Sequence, residues 1–340
     1  MNSNRHSSGD LPVINEPSDR RNGMRDVMRT LLAQPMSGPL FALVVITFVF
    51  SVTTSTFLNV GNISLLFQQS VVVGTIALGQ TLIVLVAGID LACGAILVLG
   101  TVLIGSLAGH GDMAAIAAGL VVCLAAASLN GLVITRFKLP PFIVTLGTLT
   151  ILAAASRLYT HSQSYPVSSD FLTILGSGFT SGVVTFTYGS LLWIVLTLVL
   201  SYVMNQTAWG VRVYAIGDSS SAARLNGIHV GRITFSVYAL AGLFYFFAAW
   251  QALGRTPIAD PSAYQTANLD AITAVVIGGT SLFGGRGGVA GTFVGALIVT
   301  VLKNGLTQAG IDSLYQQIAT GILVILAVGV DHYLSRRKQS

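Results

Sequence analysis

The sequence predicts an all-α integral membrane protein with about ten transmembrane helices and both termini in the cytoplasm. Three observations predict it. First, 53% of the 340 residues are hydrophobic and only 9% are charged, where a soluble domain carries about 25% charged residues. Second, no Asp, Glu, Lys or Arg occurs between Arg29 and Asp90, or between Asp170 and Arg212. Apolar stretches of about 20 residues are what a bilayer requires. Third, the basic residues segregate. With the N-terminus inside and ten spans, 14 of the 17 Lys and Arg fall on the cytoplasmic side, as the positive-inside rule expects. Only Arg157, Arg255 and Lys303 stay outside. The net charge of +5 is thereby a matter of topology, and it implies the lipid bilayer, not nucleic acid, as partner.

Residues 1–36 are polar, rich in Ser, Asn and Arg, and lack an apolar region before a cleavage site. They read as a disordered cytoplasmic tail and not as a signal peptide. Ten apolar segments follow at 38–57, 63–88, 91–109, 113–135, 140–159, 188–205, 233–254, 270–284, 288–306 and 315–334. They form one transmembrane domain, 37–335, before a short basic cytoplasmic tail, 336–340. The second segment contains Gly74 and Gly79, where it can bend. The eighth is short and glycine-rich, which predicts a broken or steeply packed span.

Two connections are long. The outer one, 160–188, is rich in Ser, Thr and Gly, with a turn expected at Ser164–Val167. It either covers the outer mouth or is an inert loop. The inner one, 207–232, contains a short helix signal. Ser219, Ser220 or Ser221 can cap Ala222, Ala223, Arg224 and Leu225, and Gly227 can end the turn. Such a helix either docks a soluble partner or lies on the membrane surface.

Motifs for covalent chemistry are missing. The three lysines, Lys138, Lys303 and Lys338, are followed by Leu, Asn and Gln. None completes a phosphate loop, which needs Lys-Ser or Lys-Thr. Gly285–Ala290 fits a loose dinucleotide pattern, but it lies in a membrane segment without a βαβ unit. The five histidines have no partner at metal-ligand spacing, and no Gly-x-Ser-x-Gly elbow occurs. Cys93 and Cys123 lie in apolar runs and read as small buried hydrophobes. The expectation is no catalytic residue, no metal site and no cofactor on this chain.

Ionisable groups near a membrane interior are the default places to look for function. Asp90 is expected at the inner end of the second span, Asp270 at the outer start of the eighth and Lys303 at the outer end of the ninth. All three fall near interfaces, where each aspartate can cap a following helix. Uncharged polar groups within spans are more numerous. Gln80, Thr81, Asn130, Thr145 and Thr148, with Asn268 and Asp270, are the candidates for a substrate path. They suit a neutral, hydroxyl-rich solute better than an ion, although any one of them can simply bond a neighbouring helix.

The stretch Asn268–Gly291 holds seven glycines and Arg286 as its one basic residue. Each glycine in a helix costs about 1 kcal/mol against alanine, so this density points to close backbone packing within a bilayer.

Three stretches carry a family resemblance. They are Gly79-Gln80-Thr81 through Gly88-Ile89-Asp90-Leu91 to Gly94-Ala95; Tyr214-Ala215-Ile216-Gly217 with Ala222-Ala223-Arg224-Leu225 and Gly227-Ile228; and Leu269-Asp270-Ala271-Ile272 through Val275–Leu282 to Gly284-Gly285-Arg286-Gly287. In this order and spacing the chain, over roughly 40–335, resembles the permease subunit of ribose-type bacterial ABC sugar importers. The resemblance implies an inner-membrane homodimer with the path between subunits. It also implies a separate cytoplasmic ATPase that binds ATP and Mg, and a periplasmic sugar-binding protein. The 219–227 helix would insert into the ATPase. The family serves pentoses, hexoses, inositol and related molecules. The chain departs from its pattern at Ala92-Cys93 (often Ser-Val), Asn268 (usually Glu) and Asp218 (usually Gly), which bears on the sugar and the detail of docking. The expected function is therefore sugar import by alternating access. A stand-alone ion-coupled sugar carrier is the alternative, weakened by the want of a carboxylate expected at mid-membrane.

Overall fold

The computed structural model describes residues 36–337, apart from residue 183. The tail 1–35 and the last residues, 338–340, lie outside the described residues, and with them most of the expected disordered and basic tails. Among the described residues the chain is almost entirely helical. Ten apolar helices correspond one to one with the ten predicted segments. They are α1 (Ser37–Thr53), α2 (Val60–Leu85), α3 (Cys93–Leu107), α4 (Asp112–Phe137) and α5 (Pro141–Thr160). After the outer loop come α6 (Tyr188–Gln206), α9 (Val230–Arg255), α10 (Ala267–Ile277), α11 (Val289–Gln308) and α12 (Ser313–Arg337). Between α6 and α9 stand two further helices, α7 (Ala208–Asp218) and α8 (Ser220–Leu225). Seven of the apolar helices are long enough to cross a membrane, and three are shorter or only partly described.

Helices α2 and α9 form the centre. α9 packs most extensively on α4 and α2, and Tyr238 and Tyr245 on it are wholly buried. α2 is one continuous helix through Gly74 and Gly79, the positions at which the sequence allows a bend. Gly74 instead makes room for the indole of Trp193, so tertiary packing uses that glycine without breaking the helix. α5 is peripheral and presents Phe142, Leu146, Ile151 and Leu158 outward.

The outer loop is packed onto the molecule. Its expected turn at 164–167 is instead a short strand, β1 (Tyr165–Pro166), antiparallel to β4 (Ile258–Ala259) after α9. A hairpin of β2 (Gly178–Ser181) and β3 (Val184–Thr187) follows. Leu172, between β1 and this hairpin, is fully buried, and its carbonyl accepts from Trp250 Nε1 at 3.0 Å.

α10 has 11 residues, about 16 Å at about 1.5 Å per residue, against a hydrocarbon core of about 30 Å. The predicted broken eighth span is this half-length helix. It ends at Gly278, and the chain stays non-helical to Gly288. α10 lies against α11 with backbones in contact: a Cβ on Gly295 would sit 1.9 Å from the Ala274 carbonyl oxygen, and one on Gly291 2.0 Å from that of Gly278. These glycines are needed for space. Gly295→Ala is expected to lower stability by about 1–3 kcal/mol, read as a fall in the midpoint of thermal unfolding in detergent. An unchanged midpoint would show that the two helices separate freely.

Candidate functional site

The loop joining α2 to α3 is the least expected feature. α2 ends in a Schellman-type cap: Gly88 N–H donates to Ile83 O and Ala87 N–H to Val84 O, both at 2.9 Å. Ala87 takes the left-handed conformation, φ 59°, usually held by glycine. The chain then folds back along α2. Hydrogen bonding orients the Gln80 amide to donate to the Asp90 carbonyl and accept from the Asp90 N–H, both at 3.2 Å. Gln80 lies five residues inside the end of α2, so Asp90 is drawn into the protein and away from the interface.

Asp90 is fully buried. Its Oδ1 accepts from Ala92 N–H at 2.7 Å and its Oδ2 from Tyr245 OH at 3.0 Å. Tyr245 stands near the middle of α9. The first bond is the expected cap of α3; full burial in the protein is more than a cap at a water interface requires. Thr145 of α5 holds the same loop from the other side. Its Oγ1 accepts from Leu91 N–H and donates to Ile89 O, each at 3.1 Å. Asn268 of α10 donates through Nδ2 to Leu91 O at 3.2 Å. The starts of α3 and α10, expected on opposite sides of the membrane, thus meet.

The other predicted path residues separate into pairs. Thr81 Oγ1 is buried and lies 2.6 Å from Thr292 Oγ1 of α11. Thr148 Oγ1 donates to Asn130 Oδ1 at 2.6 Å, joining α5 to α4. Asp270 does not cap α10; it is the fourth residue of that helix, and its Oδ2 accepts from Lys303 Nζ of α11. Inside a first turn, a carboxylate faces the positive end of the helix dipole, and here the salt bridge ties the two helices together. Sequence spacing gave no sign of Tyr245 as a partner of Asp90, or of an outer polar cluster in which Asn62 and Asn304 exchange amide hydrogen bonds at 2.9 and 3.1 Å. The mid-apolar placement of Asn62 and Asn304 was the one available signal.

A cavity of about 220 Å³ lies between α3, α5 and the segment before α10, and Asn268 is the one predicted path residue that lines it. Among the described residues no group of three or more His, Cys, Asp and Glu can hold a metal ion.

At the inner end, Ser219 caps α8, its Oγ accepting from Ala222 N–H at 3.2 Å. Ser220 and Ser221 lie within the helix. A second Schellman-type cap closes it: Ile228 N–H donates to Ala223 O at 3.0 Å, with Gly227 at φ 78°. Ala223 is buried, while Ala222, Arg224 and Leu225 are exposed, Leu225 to 90%. The preceding Ala208–Asp218 is helical as well, beyond the short helix signal of the sequence. α7 anchors the loop: Tyr214 OH donates to Gly287 O at 3.0 Å. Burial pushes the Tyr214 phenol above its ordinary range, so it remains a donor. A Cβ on Gly217 would lie 1.8 Å from Leu85 O, and Gly285 N–H donates to that same carbonyl at 3.0 Å. α7, the end of α2 and the turn after α10 are therefore one packed unit.

Residues 62–328 match the family described as branched-chain amino acid transport system / permease component. The chain belongs to this permease family. It is 39% identical over 322 residues to the fructose import permease protein of Rhizobium meliloti, covering 92% of this chain and 89% of the relative. It is 38% identical over 304 residues to the ribose import permease protein of Bacillus subtilis (strain 168), covering 86% and 92%. The galactose/methyl galactoside import permease protein of Haemophilus influenzae is 32% identical over 317 residues, covering 88% and 94%. No solved structure matches. The chain is accordingly a multi-pass inner-membrane permease component of an ABC transporter.

The Asp270–Lys303 pair generates a prediction. Lys303→Ala leaves a carboxylate buried without its cation and is expected to cost about 3 kcal/mol, the low end for a broken buried pair because Lys303 is partly exposed. The double change Asp270→Asn with Lys303→Gln should restore most of that stability. Thermal unfolding of the three proteins in one detergent checks it, and equal loss in single and double variants would show that charge pairing is not the cause.

Proposed function

We propose that this chain is the transmembrane subunit of an importer for a monosaccharide or related polyol — a ribose-like pentose, a hexose or inositol — working by alternating access. A second copy of the chain completes the path. A separate cytoplasmic ATPase subunit binds ATP and Mg and drives it, and a periplasmic sugar-binding protein delivers the solute. The observation that carries the reading is the similarity, at 32–39% identity along most of the chain, to permeases named for fructose, ribose and galactose import. The family description mentions branched-chain amino acids, but the near relatives are sugar permeases.

The inner end supports the energetic part. α8 offers a small exposed ridge, Ala222, Arg224 and Leu225, on a buried Ala223 footing. Through α7 its motion reaches the ends of α2 and α10. Ser219–Gly227 is thus the coupling element, and Gln80, Thr81, Asn130, Thr145 and Thr148 hold in register the helices that move. Asn268 and, behind it, Asp270 stand nearest the path.

A second reading, the stand-alone ion-coupled carrier, gains one observation: Asp90 is deeper than the sequence suggests. Both of its carboxylate oxygens are engaged, however, and it is sealed from solvent. A proton relay needs a carboxylate that solvent and substrate reach in turn.

Proteoliposomes decide between the readings. The importer reading expects uptake of ribose or fructose only when the ATPase chain, ATP and the binding protein are all present; uptake by this chain alone under an ion gradient would overturn it. Within the complex, Arg224→Glu, or Ala222 replaced by a bulky charged residue, is expected to abolish copurification of the ATPase while the chain still extracts and elutes as a folded protein. Retained copurification and transport would remove α8 from the coupling role.

A further inference from the structure

The cavity between α3, α5 and the start of α10 has a chemistry of its own. Each of its polar lining side chains carries a donor: the Arg157 guanidinium, the Gln265 and Asn268 amides and the Tyr264 hydroxyl, the last three able to accept as well. No carboxylate lines it. Of the nearest acids, Asp270 is paired with Lys303, and Asp260 accepts from Ser262 N–H. Two helices also begin there, with Gly94 the second residue of α3 and Asn268 the second of α10. Helix starts carry partial positive charge and unsatisfied N–H groups, and half-helices that begin within a membrane use them to hold solutes. The remaining lining is apolar and mostly small, including Gly94 and Ala153, with Leu149 the largest.

Two further features show a built site. Asn268 is buried and fixed: its Oδ1 accepts from Leu269 N–H at 2.9 Å and one amide hydrogen is held by Leu91 O, so the second N–H is its unspent donor. Tyr264 sits at φ 54°, a left-handed conformation that is a true outlier for a bulky residue. Such strain persists where the surroundings impose it, and it concentrates at ligand clamps. Gly94 is not glycine for want of space, because a Cβ there would meet its nearest atoms at 3.4–3.5 Å, ordinary contact distances. What its hydrogen side chain leaves is room in the cavity.

We propose that this cavity is a monosaccharide subsite of the transport path. It holds the hydroxyl oxygens of a neutral sugar against a donor-rich wall and disfavours cationic solutes. The proposal rests on the importer reading. A volume of about 220 Å³ is matched to a single sugar ring, so filling it should discriminate by size.

The test uses the complete complex, this chain with its ATPase and its binding protein, in proteoliposomes. Initial uptake rates of D-ribose and D-fructose are measured with loaded binding protein at saturation, so that a change in their ratio reports the membrane chain. Gly94→Ala is expected to depress fructose relative to ribose by about tenfold, the scale on which one methyl group discriminates in a packed pocket. Ala153→Trp is expected to abolish uptake of both. A purely structural role for Gly94 would lower both rates together and leave the ratio unchanged, and that result overturns the subsite. If Ala153→Trp does not assemble, the ratio for Gly94→Ala decides alone. Wild-type complex that imports none of ribose, fructose, galactose and inositol refutes the importer reading, and the subsite falls with it. Wild-type import of either sugar with unaltered behaviour of the variants refutes the subsite only.

Discussion

Everything in this molecule depends on how a non-helical piece of backbone is kept inside the protein of a membrane permease. Unpaired N–H and C=O groups cost several kcal/mol each in hydrocarbon, roughly enough to forbid irregular chain unless protein satisfies it. The fold-back 86–92 meets that constraint with groups drawn from four helices. Gln80 takes both polar groups of Asp90, Thr145 serves Ile89 and Leu91, Asn268 takes the Leu91 carbonyl, and the Asp90 carboxylate, itself steadied by Tyr245, caps α3. Because the loop is secured this way, α3 can begin below the surface. α10 can begin beside it, and a cavity is left where the two starts meet.

The same accounting governs the second half. α10 is too short to span, so the chain beyond it must again find partners. It does so by close approach to α11, which only glycines at 278, 291 and 295 permit, and by a turn whose Gly285 N–H bonds the last carbonyl of α2. That carbonyl also abuts Gly217 of α7. The inner ends of the two irregular segments and the cytoplasmic loop are thus fastened at one point. Tyr214 and Gly217 thereby put the loop that carries α8 in direct contact with the turn after α10 and the end of α2.

Much of this was legible in the sequence, for reasons that separate cleanly. Helix count and identity follow from hydropathy, which each segment carries within itself; hence all ten appear, including the short eighth. The α8 turn was legible because cap and stop, Ser219 and Gly227, are local signals. The fold-back was not. Its bonds join residues remote in sequence, such as Asp90 with Tyr245 and Leu91 with Asn268, and no window of neighbours contains both partners. The same blindness made Asp270 look like a cap, since Lys303 lies on another helix. It made 164–167 look like a free turn, since its strand partner is Ile258–Ala259. α7 was missed for a different reason. Its 11 residues hold two glycines, and propensity alone argues against a helix that tertiary contacts impose.

The placement of polar side chains also constrains what kind of path this is. A hydroxyl or amide within a span looks, from sequence, like a ligand for the solute. Most of those here are spent inside the subunit: Thr81 on Thr292, Asn130 on Thr148, Gln80 and Thr145 on the fold-back. They hold helices in register, and of the Asn130 amide it is the oxygen that is spent, its buried nitrogen having no partner. A solute that meets few side chains on the way is bound weakly, and weak binding is what a carrier needs if it is to release its cargo on the far side. On the subsite proposed above, discrimination would fall to the donors left unspent where the starts of α3 and α10 meet, a property of backbone placement more than of any one residue type.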